Sequence, residues 1–162
     1  MLGLSLSAFT TLHLVLSLVG IAAGFAVVPG LLGGKRQDGM TLLFLVATAL
    51  TSVTGFMFPF SSVLPSHIVG AISLVVLAAA VVALYGFRLS GPWRWVYVVG
   101  AMMALYLNTF VGVVQAFQKI PALKALAPTQ AELPFVVAQV ALLVAFLAVG
   151  GLGVRRFRPS GA

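Results

Sequence analysis

The chain contains no cysteine, and only two of its 162 residues, Asp38 and Glu132, are acidic. The first absence excludes thiol–disulfide exchange, iron–sulfur ligation and cysteine nucleophiles, and with them the quinone-coupled disulfide oxidoreductases that would otherwise suit a protein of this size. The second argues against ion-coupled transport, which uses carboxylates inside membrane segments, because neither acid falls within an apolar run. Charged residues of both signs make up 7% of the chain, whereas an ordinary soluble domain is about one-quarter charged. The G-x-x-x-x-G-K, H-E-x-x-H and G-x-S-x-G elements are missing as well, which removes the common soluble-enzyme motifs.

What the chain has in place of charge is hydrophobic length: 62% of its residues are hydrophobic. Apolar runs lie at 12–32, 40–58, 66–87, 93–117 and 134–154, each near the ~20 residues needed to cross a bilayer as a helix. The expected fold is therefore all-α, a single integral membrane domain over 1–162 built as a polytopic bundle of five spans. The first run has no basic residue ahead of it and no small-x-small cleavage site, so it is expected to be a permanent span rather than a removable signal. Segment 118–133 is left as an outer interfacial connection. Within it Pro121 suits a first helical turn and Ile120, Leu123 and Leu126 are three apart, as in a short interfacial helix.

Seven of the nine basic residues follow alternate spans, the exceptions being Lys119 and Lys124 after the fourth, which Glu132 partly offsets. Lys35 and Arg36 come after the first, Arg88 and Arg94 after the third, and Arg155, Arg156 and Arg158 after the fifth. By the positive-inside rule the N-terminus faces outside and the C-terminus the cytoplasm, as in a multi-pass membrane protein. The net charge of +7 is then a topology signal and a contact for anionic lipid headgroups, not a nucleic-acid surface. Trp93, Trp95 and Tyr97 beside Arg94 suit an interfacial aromatic belt, and Phe56, Phe58 and Phe60 surround Pro59 in the expected outer hairpin.

Small residues mark where helices approach closely in lipid. Gly20 and Gly24 in span one, Gly100, Ala101, Ala104 and Gly112 in span four, and Gly150, Gly151 and Gly153 in span five read as packing within the bundle, with a dimerisation face as the alternative. Pro29 either kinks span one or ends it.

With this topology, most polar residues inside the spans fall in the outer half. They are His13, Thr51, Ser52, Thr54, Ser66, His67, Asn108, Gln115 and Gln139, while Ser17, Ser73, Tyr85 and Tyr97 fall in the inner half. Ala101, Ala104, Asn108, Gly112 and Gln115 share one stripe of span four, which should face protein because amides are costly in lipid. Spans one and three run in the same direction, and each has its single histidine near its outer end. If the two are diagonal partners, His13 and His67 face one another across the core. That arrangement suits two axial imidazoles on haem b, or copper or zinc with Met57 as a soft third ligand. Matching depth requires span one to begin near Leu12; a start at Leu6 would set His13 deeper by about 9 Å at ~1.5 Å per residue. The alternative for each histidine is an interfacial position or a bond to a neighbouring amide.

The runs Leu50-Thr51-Ser52-Val53-Thr54-Gly55-Phe56-Met57-Phe58-Pro59-Phe60, Pro65-Ser66-His67-Ile68-Val69-Gly70 and Ala104-Leu105-Tyr106-Leu107-Asn108 resemble an uncharacterised family of short bacterial multi-span integral membrane proteins. So does Ala125-Leu126-Ala127-Pro128-Thr129-Gln130, with Glu132, Pro134 and Phe135 after it. The resemblance implies a bacterial multi-span protein and supplies no activity.

Three functions stay open. The first is a polar site of His13, His67, Asn108, Gln115, Gln139, Thr51 and Ser52 that binds haem b, a metal (His13, His67, Met57) or a quinone in membrane electron transfer. The second is a non-catalytic accessory or structural subunit of a larger membrane complex or homo-oligomer. The third is a binder or transporter of a small neutral lipid-like molecule. No catalytic residue is assigned: Ser66 and His67 are adjacent on a helix and point about 100° apart, so they do not form a nucleophile–base pair.

Overall fold

The computed structural model describes residues 3–59 and 65–158. Among them are six α-helices and no strand: α1 (Leu6–Gly33), α2 (Asp38–Gly55), α3 (Pro65–Val81), α4 (Trp93–Lys119), α5 (Pro121–Leu126) and α6 (Leu133–Arg156). α1, α2, α4, α6 and the continuous segment Pro65–Gly86 that contains α3 are long and apolar enough to cross a membrane. A single wide π turn, Val82–Gly86, continues α3. Phe60, part of the expected hairpin, lies outside the described residues.

Local chemistry explains the helix ends. Ser5 caps α1 by accepting a hydrogen bond from the Ala8 amide at 3.2 Å, and Thr10 and Thr11 return their hydroxyls to the carbonyls of Leu6 and Ser7. The helix thus begins six residues before the expected Leu12, because hydroxyls satisfied on their own backbone do not interrupt a helix. It runs through Pro29 and stops where Gly34 takes a left-handed φ of +66°. Pro29 therefore does not end it. Pro121 and Pro134 each sit in a first turn, where no amide donor is needed. After the π turn, Arg88 and Leu89 both have positive φ, at 49° and 63°. That strain, about 1–2 kcal/mol per residue, is held by burial of Leu89 and by its amide bond to the Ala83 carbonyl at 2.9 Å.

Helix α4 packs against every other helix. Around it α1–α2, α2–α3, α3–α4 and α4–α1 are neighbours, which leaves α1 and α3 diagonal, and α6 lies outside this ring against α4 and α1. Close approach depends on glycine at few points. A Cβ on Gly24 would stand 2.4 Å from Leu105 Cδ1, and one on Gly100 would stand 3.0 Å from the Val76 carbonyl oxygen. These contacts lie within the chain, so the small residues of α1 and α4 serve the bundle itself. Gly151 differs: nothing lies within 4 Å of its would-be Cβ.

The apolar core is concentrated towards the end of the bundle that carries the arginines. Phe44, Leu77, Ala80, Leu89, Val98, Leu105 and Phe157 are buried there. The buried hydroxyls of Ser52, Thr54 and Ser73 and the amide of Asn108 lie towards the opposite end. In α6 only Gly153 is buried, and large apolar side chains are exposed on every long helix. A surface this apolar is suited to lipid rather than water.

Candidate functional site

His13, Thr51, Ser52, His67 and Asn108 line one cavity among α1, α2, α3 and α4. The diagonal placement of α1 and α3 thus brings both histidines to the same space. Gly55, Phe56, Ser66, Gly70 and Ser73 complete much of the remaining wall. No lysine, arginine, aspartate or glutamate is among the lining residues.

His13 is half-buried on α1, with Nδ1 2.8 Å from Thr54 Oγ1. That hydroxyl also lies 2.7 Å from the Leu50 carbonyl and 3.1 Å from the Thr51 carbonyl of its own helix. A hydroxyl has one proton, and two oxygens 2.7 Å apart need it between them. The His13 Nδ1–H therefore donates to Thr54, and in a neutral imidazole this leaves Nε2 as the acceptor. Phe58 holds the ring from the side, edge-on at 5.2 Å between centroids. His67, on the first turn of α3, stacks on Phe56 at 5.6 Å and 19°.

The hydroxyls divide between structure and cavity. Thr51 donates to the Ala47 carbonyl at 2.9 Å, which uses its proton and leaves its lone pairs. Ser52 Oγ lies 3.0 Å from the Thr48 carbonyl and 3.2 Å from Ser73 Oγ, tying α2 to α3. On the opposite wall Ser17 donates to Asn108 Oδ1 at 2.9 Å, tying α1 to α4. Ser17 and Ser73, expected in the inner half, thus belong to this polar cluster. Ser17 lies eleven residues from the start of α1 and Asn108 eleven residues from the end of α4, so the two meet at mid-depth. Ser73 lies eight residues into α3, so the polar zone runs deeper than the first turn of that helix.

Three expected members lie elsewhere. Gln115 shares the Asn108 stripe but sits two turns on, about 10 Å along the axis, and is exposed. Gln139 turns towards α4, where its Nε2 donates to the Phe110 carbonyl at 3.3 Å. Met57 sits in the turn after α2 and does not line the cavity.

The cavity volume is about 90 Å³. With ~30 Å³ per water, that is room for about three waters or one polar head, against ~300–1,000 Å³ for a pocket enclosing a whole small molecule. A haem macrocycle does not fit between these walls. The metal set is also short, since no group of three or more His, Cys, Asp or Glu side chains comes together among the described residues, whereas protein sites for zinc supply at least three ligands. The wall suits a neutral group that both accepts and donates hydrogen bonds.

No family model matches the chain, and no curated protein or solved structure is significantly similar to it.

Proposed function

We propose that this is a small polytopic protein of the bacterial cytoplasmic membrane, oriented with its N-terminus outside, whose histidine-lined cavity binds the polar head of a neutral lipid-like molecule. A quinone is the class that suits it best. The observation that carries the reading is a wall of two imidazoles, several hydroxyls and one amide with no formal charge. Quinone carbonyls accept hydrogen bonds, the reduced hydroxyls donate them, and the neutral His13 Nε2 can accept. The cavity is too small for a whole isoprenoid molecule, so it would take the head while the tail stays among lipid chains. The orientation rests on the alternation of basic residues.

The test is extraction and chromatography of lipids retained by protein purified in mild detergent, followed by equilibrium binding of a short-chain quinone. Wild type should retain or bind quinone, and His13→Leu and Asn108→Leu should lose it while keeping their helical circular dichroism. Failure of the wild type to bind any quinone would refute the reading. An absorption spectrum before and after dithionite decides the haem alternative, because a Soret band that His13→Leu abolishes would require the cavity to open around the macrocycle.

A second reading, an accessory subunit of a larger membrane complex, is supported by α6. Val136, Val140 and Val144 form an exposed apolar stripe on a helix that buries only Gly153. Native mass spectrometry of gently extracted membranes tests it, and a partnerless monomer would count against it.

A further inference from the structure

A second space, unrelated to the histidine cavity, lies between α4 and α6. It is a groove of about 320 Å³ lined almost entirely by apolar side chains, among them Met102, Met103, Tyr106, Leu147 and Val154. Gly150 and Gly151 line it, and nothing lies within 4 Å of a would-be Cβ on Gly151. Helices in lipid associate through van der Waals packing. An apolar gap of this size along such a crossing forfeits those contacts unless something apolar fills it.

The charges at one end of the groove identify the occupant. Leu147, Gly151 and Arg155 are four residues apart on one stripe of α6, so the stripe that lines the groove leads directly to a guanidinium. On α4, Trp95 precedes the groove residue Val99 by the same interval and is exposed, as an aromatic at headgroup level would be. The neighbouring Arg94 is committed to the protein, because its Nη1 donates to the carbonyls of Val154 and Phe157. Arg155 is exposed and has no ion pair among the described residues. The chain has only two acids. Asp38 is bridged to Arg36 at 2.9 Å, and Glu132 is at the other end of α6, so no side-chain carboxylate among the described residues competes for Arg155.

We propose that this groove is a binding site for one anionic phospholipid, with an acyl chain laid over Gly151 between Met103 and Leu147 and the phosphate on Arg155 at the level of Trp95. A general attraction of the basic face for anionic membranes would not distinguish Arg155 from Arg156, which lies about 100° further round the helix. A groove site does.

The experiment is native mass spectrometry of the full chain in detergent, titrated in parallel with dioleoylphosphatidylglycerol and dioleoylphosphatidylcholine. Wild type should retain one phosphatidylglycerol preferentially. Arg155→Gln should weaken phosphatidylglycerol binding about fivefold, the contribution of one basic residue at a membrane surface, without changing phosphatidylcholine, and Arg156→Gln should leave the preference near wild type. Gly151→Phe should remove binding of both lipids by filling the groove. Leu147→Trp narrows it from the other side and serves if Gly151→Phe does not fold. An unchanged preference in Arg155→Gln, or full lipid retention in the filled-groove variants, overturns the proposal. So does conversion of a dimer to a monomer by Gly151→Phe with lipid binding intact, which would assign the groove to a second copy of the chain.

Discussion

The Ser17–Asn108 pair joins α1 to α4 across one wall of the cavity, and its contribution can be worked out before it is measured. Asn108 is only 8% exposed, accepts from the Ser17 hydroxyl at 2.9 Å and directs its Nδ2 at the Ser17 carbonyl at 3.4 Å. The first distance is that of a full hydrogen bond, and the second lies beyond the usual ~3.2 Å limit. Hydrogen bonds between membrane helices average about 0.6 kcal/mol and reach about 1.7 kcal/mol. One good bond and one long one should give a coupling between those values. It should not exceed them, because a Ser17 hydroxyl released from Asn108 can return to the His13 carbonyl four residues back. Asn108→Ala alone should cost more, about 1–3 kcal/mol, since it also removes buried contacts. The assay is a double-mutant cycle of Ser17→Ala, Asn108→Ala and the pair, unfolded in mixed dodecylmaltoside–SDS micelles and followed by circular dichroism. If the single effects add to within about 0.3 kcal/mol, the pair does not link the two helices energetically and the account of this wall is wrong.

Other consequences can be checked in the same micelles. Gly100→Ala should destabilise by about 1–3 kcal/mol through overpacking, because the new methyl would stand 3.0 Å from the Val76 carbonyl oxygen, a backbone atom that moves only if α3 moves. Gly151→Ala should be neutral or stabilising by about 0.5–1 kcal/mol, and equal melting of the two variants would show that α3 and α4 do not approach as described. The Thr48 hydroxyl is buried without a partner, so Thr48→Val should leave stability unchanged or raise it by up to about 1 kcal/mol; a clear loss in the unfolding titration would reveal a hydrogen bond to that hydroxyl. Desolvation is the largest single influence on Glu132 and raises its pKa, but bonds from the Thr129 hydroxyl and from the Thr129 and Ala131 amides together outweigh it and hold the carboxyl below its ordinary 4.5. A depressed pKa means that the loop is fully supported above 4.5 and loses this support as pH falls through the lower folded value. The protection factor of the Thr129 amide, its exchange rate relative to an unstructured peptide at the same pH, should therefore fall on acidification in wild type and be insensitive to that step in Glu132→Gln.

The five long helices were legible because a bilayer demands uninterrupted apolar length, and length survives ignorance of packing. The first turns of α1 were not, because Ser5, Ser7, Thr10 and Thr11 look like a polar boundary, yet Ser5 caps the helix and the two threonine hydroxyls are satisfied on its backbone. Ser17 joins the polar cluster because Asn108 lies as far from the end of α4 as Ser17 does from the start of α1, so the two meet at mid-depth. His13 and His67 both line one cavity because α1 and α3 are diagonal in a short-loop ring, although the start of α1 at Leu6 sets His13 about 9 Å deeper than the start at Leu12 on which matching depth depends. Gln115 and Gln139 show the limit of periodicity. A 3.6-residue repeat says which residues share a face, but what covers that face depends on where the partner helix ends. Gln115 is on the correct stripe and uncovered, while Gln139 faces α4 from a helix outside the ring. Phe56, which stacks on His67, gave no periodic signal because it sits in the turn after α2.

The two proposed sites meet different parts of α4, and this makes their independence testable. Leu107, Asn108 and Val111 line the histidine cavity, whereas Val99, Met102, Met103 and Tyr106 line the groove against α6. Between them the helix is fixed by contacts that leave little slack: Gly100 against the α3 backbone, and Leu105 against Gly24. A rigid, close-packed element passes on a perturbation only if it has a second arrangement to move to, and the glycine contacts leave α4 no evident room to slide. Filling the groove with Gly151→Phe should therefore abolish phospholipid retention and leave short-chain quinone affinity unchanged, while His13→Leu should do the reverse. If either variant altered both affinities without loss of helical content, α4 would have to exist in two positions, and the close approaches at Gly24 and Gly100 would describe only one of them.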